Sequence, residues 1–254
     1  MIRERSQKIR LDRLLVDRGL VESREKAQGL ILAGSVLVDE QKQEKCGALV
    51  NAQAALRLLG DPPKYVSRGG LKLEGALEHF RLNPDSRVCL DVGSSTGGFT
   101  DCLLQHGAGK VYAVDGGTHQ LDWKIRRDSR VVVMEKTNAR YLTADRIGEL
   151  VDLVTIDVSF ISVTLILPAL VPLLASPADM VVLVKPQFEV GKGQVGKGGI
   201  VRDPAQHQEA VAKVSRKLLE LGFGKLSSME SPLLGAEGNH EFFLHAVWKK
   251  LASG

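Results

Sequence analysis

The spacing of apolar residues changes period several times along the chain, and each change marks an element. Leu11, Leu14 and Leu15 recur at helical intervals, and Gly19 stands where a left-handed residue would cap that helix. Ser23 offers an N-cap for a second helix in which Ala27, Leu30 and Ile31 share a face, ending near Gly34. Val36 and Val38 then alternate ahead of the polar run 39–43, a strand and turn, and 56–59 reads as a closing strand. Past residue 70, short apolar runs at 87–92, 110–115, 131–135, 151–157, 180–185, 225–229 and 241–247 predict strands. They alternate with helical patterns at 71–80, 99–106, 165–174 and 205–221. This alternation predicts an α/β fold, a doubly wound, Rossmann-like parallel sheet with helices on both faces, preceded by a small α+β domain. The stretch 61–70, rich in Pro, Gly and charge, reads as a linker between a first domain at 1–60 and a second at 71–254.

Composition then removes whole classes. With 254 residues, 44% of them hydrophobic and 25% charged, the chain can bury one full-sized core and a smaller one. No apolar run approaches the roughly 20 residues of a membrane helix. The most hydrophobic stretch, 161–174, is interrupted by Pro168 and Pro172. The first ten residues lack the apolar core of a secretory signal, so a soluble, cytoplasmic protein without membrane partners is expected. Cys46, Cys89 and Cys102 lie far apart with no CxxC pair, so neither a disulfide framework nor a metal site is expected.

Charge is unevenly spread. Residues 1–70 hold 13 Lys/Arg against 9 Asp/Glu, residues 71–254 hold 21 of each, and the net charge of +4 therefore sits at the N-terminus. Solvated helix faces would account for such an excess, but it is also the footprint of phosphate binding. Arg10, Arg13, Arg24 and Lys26 fall at the starts of the two N-terminal helices and off their apolar faces, where side chains and helix N-termini can both meet phosphate. Arg68, at the end of the linker stretch, completes the candidate RNA-binding set.

The chemistry is concentrated in the second domain. Its first strand runs into Asp91-Val-Gly-Ser-Ser-Thr-Gly-Gly-Phe-Thr-Asp101, where Gly93, Gly97 and Gly98 let backbone approach a nucleotide-like ligand. The GxxxGG spacing departs from the GxGxxG of dinucleotide sites, and no GxxxxGK[ST] phosphate loop is present. Asp115 closes the next strand, where a carboxylate can accept both ribose hydroxyls of an adenosine. Lys72, Asp157, Lys185 and Glu241 stand at the ends of apolar elements, where charges are rare unless they pair or work. One such residue alone would more often be a structural ion pair. In an open α/β sheet the carboxyl ends of the strands line the ligand crevice, so Asp157 and Lys185 should converge with the Gly-rich turn.

Three resemblances extend this reading. Arg10-Leu-Asp-Arg-Leu-Leu-Val-Asp-Arg-Gly-Leu-Val-Glu-Ser-Arg-Glu-Lys-Ala27, with Ile31-Leu-Ala-Gly-Ser-Val-Leu-Val38, resembles the S-four-type RNA-binding domain, which implies binding of structured RNA by the two-helix face. Lys72, Asp157, Lys185 and Glu241 together resemble the Lys-Asp-Lys-Glu tetrad of FtsJ-like ribose 2′-O-methyltransferases. Over its full length, through Arg68-Gly-Gly-Leu-Lys-Leu, Asp157-Val-Ser-Phe-Ile-Ser and Lys185-Pro-Gln-Phe-Glu, the chain resembles the TlyA family. Its members are often called haemolysins and are similar to ribosomal RNA methyltransferases that modify cytidine 2′-hydroxyls. Gly116-Gly117-Thr118-His119 departs from the Val-Gly-Tyr-Gly more usual in that family.

The resemblance implies an S-adenosylmethionine cofactor held by Gly93, Ser94, Gly97, Gly98 and Asp115, with Asn138 near the adenine and Asp157 near the methionine portion. It implies ribosomal RNA or ribosomal subunits as partners. Lys185 is the expected general base, its neutral form favoured by partial burial and by the like charge of Lys72. Asp157 would orient Lys185, and Lys72 and Glu241 would orient the ribose. Two other readings stand beside this one: a secreted cytolysin, and an RNA-binding assembly factor with an inactive methyltransferase domain. The glycine-rich 191–199 reads as a lid that orders on RNA.

Overall fold

The computed structural model describes residues 8–60, 63–191, 193, 195–235 and 238–250. The chain divides into two compact units, Met1–Pro63 and Lys64–Gly254.

In the first unit β1 (Lys8–Arg10) leads directly into α1 (Leu11–Asp17), followed by α2 (Arg24–Leu32), β2 (Val36–Val38), β3 (Gln41–Gln43), β4 (Leu49–Asn51) and β5 (Leu56–Leu58). The Ser23 hydroxyl accepts from the Lys26 amide at 3.2 Å and caps α2 as its position foretold. β2 is the centre of an antiparallel sheet with β3 and β5 on its flanks, and β1 pairs separately with β4, Ile9 opposite Val50. The polar run 39–43 is therefore half turn and half strand. Leu11, Leu15, Ala27, Ile31 and Val36 are fully buried between the helices and the central strand.

The second unit runs α3 (Arg68–Phe80), β6 (Val88–Val92), α4 (Gly98–Gln105), β7 (Lys110–Val114), α5 (Trp123–Arg126), β8 (Val131–Met134), α6 (Ala144–Ile147) and β9 (Val151–Ile156). It continues with α7 (Leu167–Leu170), β10 (Leu174–Val184), α8 (Pro186–Glu189), α9 (Pro204–Glu220), β11 (Phe223–Glu230) and β12 (Phe242–Trp248). One seven-stranded sheet results, ordered β11-β12-β10-β9-β6-β7-β8. The strands from β10 to β8 are mutually parallel, but β12 runs antiparallel to both β10 and β11. The wholly parallel sheet expected from alternation thus fails at one edge, because among the described residues no α-helix separates β11 from β12, and a connection without a crossover returns the chain antiparallel.

Side chains alternate across the sheet. Cys89, Leu153, Val181 and Leu183 join Leu73, Leu77 and Leu103 of α3 and α4 in one core, while Leu90, Val92, Ile156 and Val182 join Leu167, Val214 and Leu218 of α7 and α9 in another. Two expected elements need correction. The helix foreseen at 165–174 is α7 between two single 3₁₀ turns, Val163–Leu165 and Val171–Leu173. Pro168 and Pro172 remove a helical donor in each successive turn. The linker foreseen at 61–70 belongs largely to the second unit. Tyr65 is buried beneath Gly70, where a Cβ would overlap its ring, Asp101 accepts from the Val66 amide at 2.9 Å, and α3 already begins at Arg68. Asp61 and Pro62 lie outside the described residues.

Candidate active site

The strand order reverses at β6: β7 and β8 build outward on one side of it, and the chain then crosses to place β9 on the other. A crevice opens at such a switch point, beyond the carboxyl ends of the strands. Gly93 leaves β6 with φ +87°, and a Cβ there would overlap the Asp157 carbonyl oxygen, so the ends of β6 and β9 meet only because the residue is glycine. The Gly93 and Ser94 amides both donate to the Val114 carbonyl, at 2.8 and 3.1 Å, which lays the turn across the end of β7.

Asp115 follows β7. Its two oxygens accept from the amides of Ser95 at 2.8 Å and Gly117 at 2.7 Å, which fixes the carboxylate against a cavity of about 630 Å³. Gly93, Asn138, Asp157 and Phe160 line the same cavity. The Asn138 side chain also caps a 3₁₀ turn through the Arg140 amide at 3.1 Å. A neighbouring cavity of about 270 Å³ shares Gly93, Ser95 and Asp157 and is lined further by Arg68, Lys72, Ser94 and Gly98. Gly97 lines neither. Its φ is +98°, and a Cβ would come within 2.8 Å of Leu121, so this glycine serves the packing of the turn on α5's approach and not the cavity wall. A carboxylate held by amides beside a roomy cavity suits the hydroxyls of a nucleoside, and the residues present fit an adenosine-bearing cofactor.

The four charged residues assemble as two pairs. Lys72 of α3 meets Glu241 at 2.6 Å, and Lys185 after β10 meets Asp157 at 2.5 Å, with the Lys185 ammonium also donating to the Ser159 hydroxyl at 3.0 Å. Both lysine side chains are 12% exposed, Asp157 24% and Glu241 3%, so the charges are largely withdrawn from water and matched one to one. Each lysine thus has a carboxylate of its own.

Three residues that sequence reasoning did not single out complete the site. Glu189 of α8 is buried and accepts from the Ser162 hydroxyl at 2.5 Å, the Val163 amide at 2.7 Å and the Lys213 ammonium at 3.1 Å. It ties the loop after Asp157 to the turn after Lys185 and to α9. Phe160 is 92% exposed with φ +66°, a left-handed conformation unusual for an aromatic residue, and its ring lies 5.3 Å from that of Phe188. Asp91 is fully buried and accepts from Thr100 at 2.7 Å and Thr155 at 3.1 Å. A signal for Glu189 and Phe160 did exist, since each lies three or four residues from a tetrad member in the quoted motifs.

In the first unit, Arg10 and Arg24 both contact Asp12, Arg13 pairs with Asp17 at 3.6 Å, and Lys26 pairs with Glu22 at 3.4 Å. Arg68 instead belongs to the second unit, on the wall of the smaller cavity. In the glycine-rich 191–199, Lys192 and Gln194 lie outside the described residues, and Lys197–Gly199 form a 3₁₀ turn. Among the described residues no helix is long and apolar enough to cross a membrane.

A Gly-rich turn, an amide-held carboxylate on the adjacent strand and two partly buried lysine–carboxylate pairs, converging at the switch point of an open α/β sheet, define a nucleoside-cofactor transferase. Residues 65–248 match the FtsJ-like methyltransferases and residues 9–52 the S4 domain. Over 240 residues the chain is 50% identical to the 16S/23S rRNA (cytidine-2′-O)-methyltransferase TlyA of Mycobacterium tuberculosis, covering 94% of this chain and 90% of that one. It is 41% identical over 240 residues to Hemolysin A of Brachyspira hyodysenteriae, covering 94% and 100%. A solved Streptococcus thermophilus structure that carries the hemolysin name aligns with a TM-score of 0.74 at 44% identity, covering 96% and 90%. The chain belongs to the TlyA family, in which an FtsJ-like methyltransferase domain follows an S4 domain.

Proposed function

We propose that this chain is a ribosomal RNA ribose 2′-O-methyltransferase that uses S-adenosylmethionine, with a cytidine hydroxyl as the favoured acceptor and the cytoplasm as its place of action. The observation that carries the reading is the Lys185–Asp157 pair, which sits where Asp157 borders both cavities. Asp115, Asn138, Gly93, Ser94 and Gly98 would hold the cofactor, whose sulfonium supplies an electrophilic methyl when bound. In-line transfer demands alignment before anything else, and orientation of this kind is worth several orders of magnitude in rate.

The remaining work falls to the chain's own side chains. Lys185, once it has given up its own proton and stands as the neutral amine, accepts the hydroxyl proton at Nζ, and Asp157 holds that nitrogen in place. General-base assistance contributes roughly 10²–10⁴-fold. Lys72 and Glu241, locked to each other, present a fixed donor and acceptor to the ribose. Phe160 and Phe188 offer an aromatic face beside the cavity on which an unstacked base can rest, as single-stranded RNA recognition requires. The two-helix face of the S4 unit supplies the basic surface for the rest of the RNA.

Lys185→Ala is expected to abolish methyl transfer to ribosomal RNA while cofactor affinity stays within about threefold of the parent, since only the transition state loses its base. Retained transfer would reject the assignment. Comparing 2′-O-methyl positions in ribosomal RNA from cells with and without the protein identifies the acceptor nucleotide, and an unchanged map would favour an inactive assembly factor.

A further inference from the structure

Asp12 lies in the first turn of α1 and is completely buried, although both arginines that touch it are about half exposed. Its Oδ1 accepts from Arg10 Nε at 3.0 Å and from the Arg13 amide at 2.9 Å. Its Oδ2 accepts from Arg10 Nη2 at 2.9 Å, Arg24 Nη2 at 2.9 Å and Gln28 Nε2 at 3.0 Å. Five donors occupy every lone-pair direction of the carboxylate, so it has nothing left to offer a ligand. The guanidinium groups do. Each has five N–H donors, of which Arg10 spends two on Asp12 and Arg24 spends one.

The placement is not one that two free arginines would choose. Both terminal nitrogens contact the same oxygen, so two like charges stand no farther apart than about twice a hydrogen-bond length, at the start of α1 and α2. A shared, buried carboxylate offsets their repulsion and removes the rotamer freedom that each long side chain would otherwise lose on binding. The hydrogen bonds from Arg10, and then those from Gln28 and Arg24, hold the Asp12 carboxyl well below the usual carboxylate range, so the arrangement persists at any physiological pH. The charge left over on the exposed side is positive, and its donors are planar forks suited to phosphate oxygens.

We infer that Asp12 is a positioning residue that pre-assembles Arg10, Arg24 and Gln28 into one anion-binding fork for the phosphodiester backbone of RNA. The inference rests on the reading that the S4 unit binds RNA, and it makes a prediction of opposite sign to simple charge counting. Removing a negative charge from a face that binds a polyanion should tighten binding. Removing the organiser of that face should weaken it.

The test measures binding of the full-length protein to labelled ribosomal RNA across a salt series. Asp12→Asn is expected to bind about tenfold more weakly at every salt concentration, the loss of roughly one charge-assisted contact. Arg10→Lys keeps the charge and breaks the fork, and a loss of about fivefold is expected from it. Arg10→Gln combined with Arg24→Gln tests the underlying reading: unchanged affinity there overturns RNA binding by this face. If that double variant binds weakly while Asp12→Asn binds as well as the parent or better, the organising role of Asp12 is overturned and RNA binding stands. Should thermal melting show that Asp12→Asn leaves the S4 unit unfolded, Arg10→Lys and Arg24→Lys decide, and parental affinity in both overturns the proposal.

Discussion

Asp91 shows what burial does to a single carboxylate. Desolvation pushes its carboxyl up to about 7, the Thr100 and Thr155 hydroxyls pull it the other way, and the charge of Asp157 adds a further rise. An acid whose folded pKa lies above its unfolded value of 3.8 binds more protons in the folded state, so its contribution to stability falls as pH rises from about 4 through 7. Asp91→Asn keeps the shape and removes the titration. The melting temperature of the variant, minus that of the parent, should therefore be larger at pH 8 than at pH 5, and a difference independent of pH would show that Asp91 is ionised in the fold. Phe160 makes a second case at this scale. Glycine would relieve its left-handed backbone by about 1 kcal/mol and lose a similar amount to unfolded-state entropy. Phe160→Gly should thus leave the urea midpoint nearly unchanged while methyl transfer falls by at least about tenfold, from loss of a base-stacking face. None of this was readable from the motifs, because the period of a sequence reports which side of an element is apolar and not which buried group lacks a counter-charge.

The elements that carry the site are joined by a few polar clamps. Glu189 connects three of them, and Lys213 is the only side-chain cation the clamp has among its contacts named above. Lys213 also donates to the Glu189 carbonyl at 2.7 Å. Lys213→Met removes both interactions and leaves a buried carboxylate short of its counter-charge, which should cost roughly 2 kcal/mol in urea unfolding. Unaltered stability would mean that Ser162 and the Val163 amide suffice. The strands of the second unit were legible to within a residue or two, since buried strands bounded by turns are strong local patterns, except that β10 begins at Leu174, six residues before the apolar run at 180–185. β1 and β4 were not, because each is three residues long with a single inward side chain, Ile9 or Val50, too little for a period to register. The antiparallel direction of β12 was equally hidden: strand direction is set by how the chain returns, and its apolar pattern is the same either way.

At the scale of the whole molecule, charge and catalysis are segregated. The excess of Lys/Arg lies in residues 1–70, while the lysines and carboxylates of the candidate site are paired one to one. Arg13 is suited to test the long-range part, because among the described residues its side chain forms an exposed ion pair with Asp17, while the Asp12 carboxylate is held by the side chains of Arg10, Arg24 and Gln28. Arg13→Glu should weaken RNA binding and lower the slope of log K against log salt by about 1, with cofactor affinity unchanged. An unaltered slope would return Arg13 to the solvated surface. Local order was written in the chain itself: most strands of the second unit, the longer helices, the Gly-rich turn, the acid after the second strand and the basic N-terminal unit follow from spacing and residue type, and the four tetrad residues from their resemblance to FtsJ-like enzymes. Tertiary structure alone decided which lysine meets which carboxylate, that Gly97 faces Leu121 and not the cavity, and that Asp12 and Glu189 are hubs. Those facts depend on distances between residues far apart in the chain, and such distances exist only once the sheet has brought its strand ends, and the two short helices their first turns, to one place.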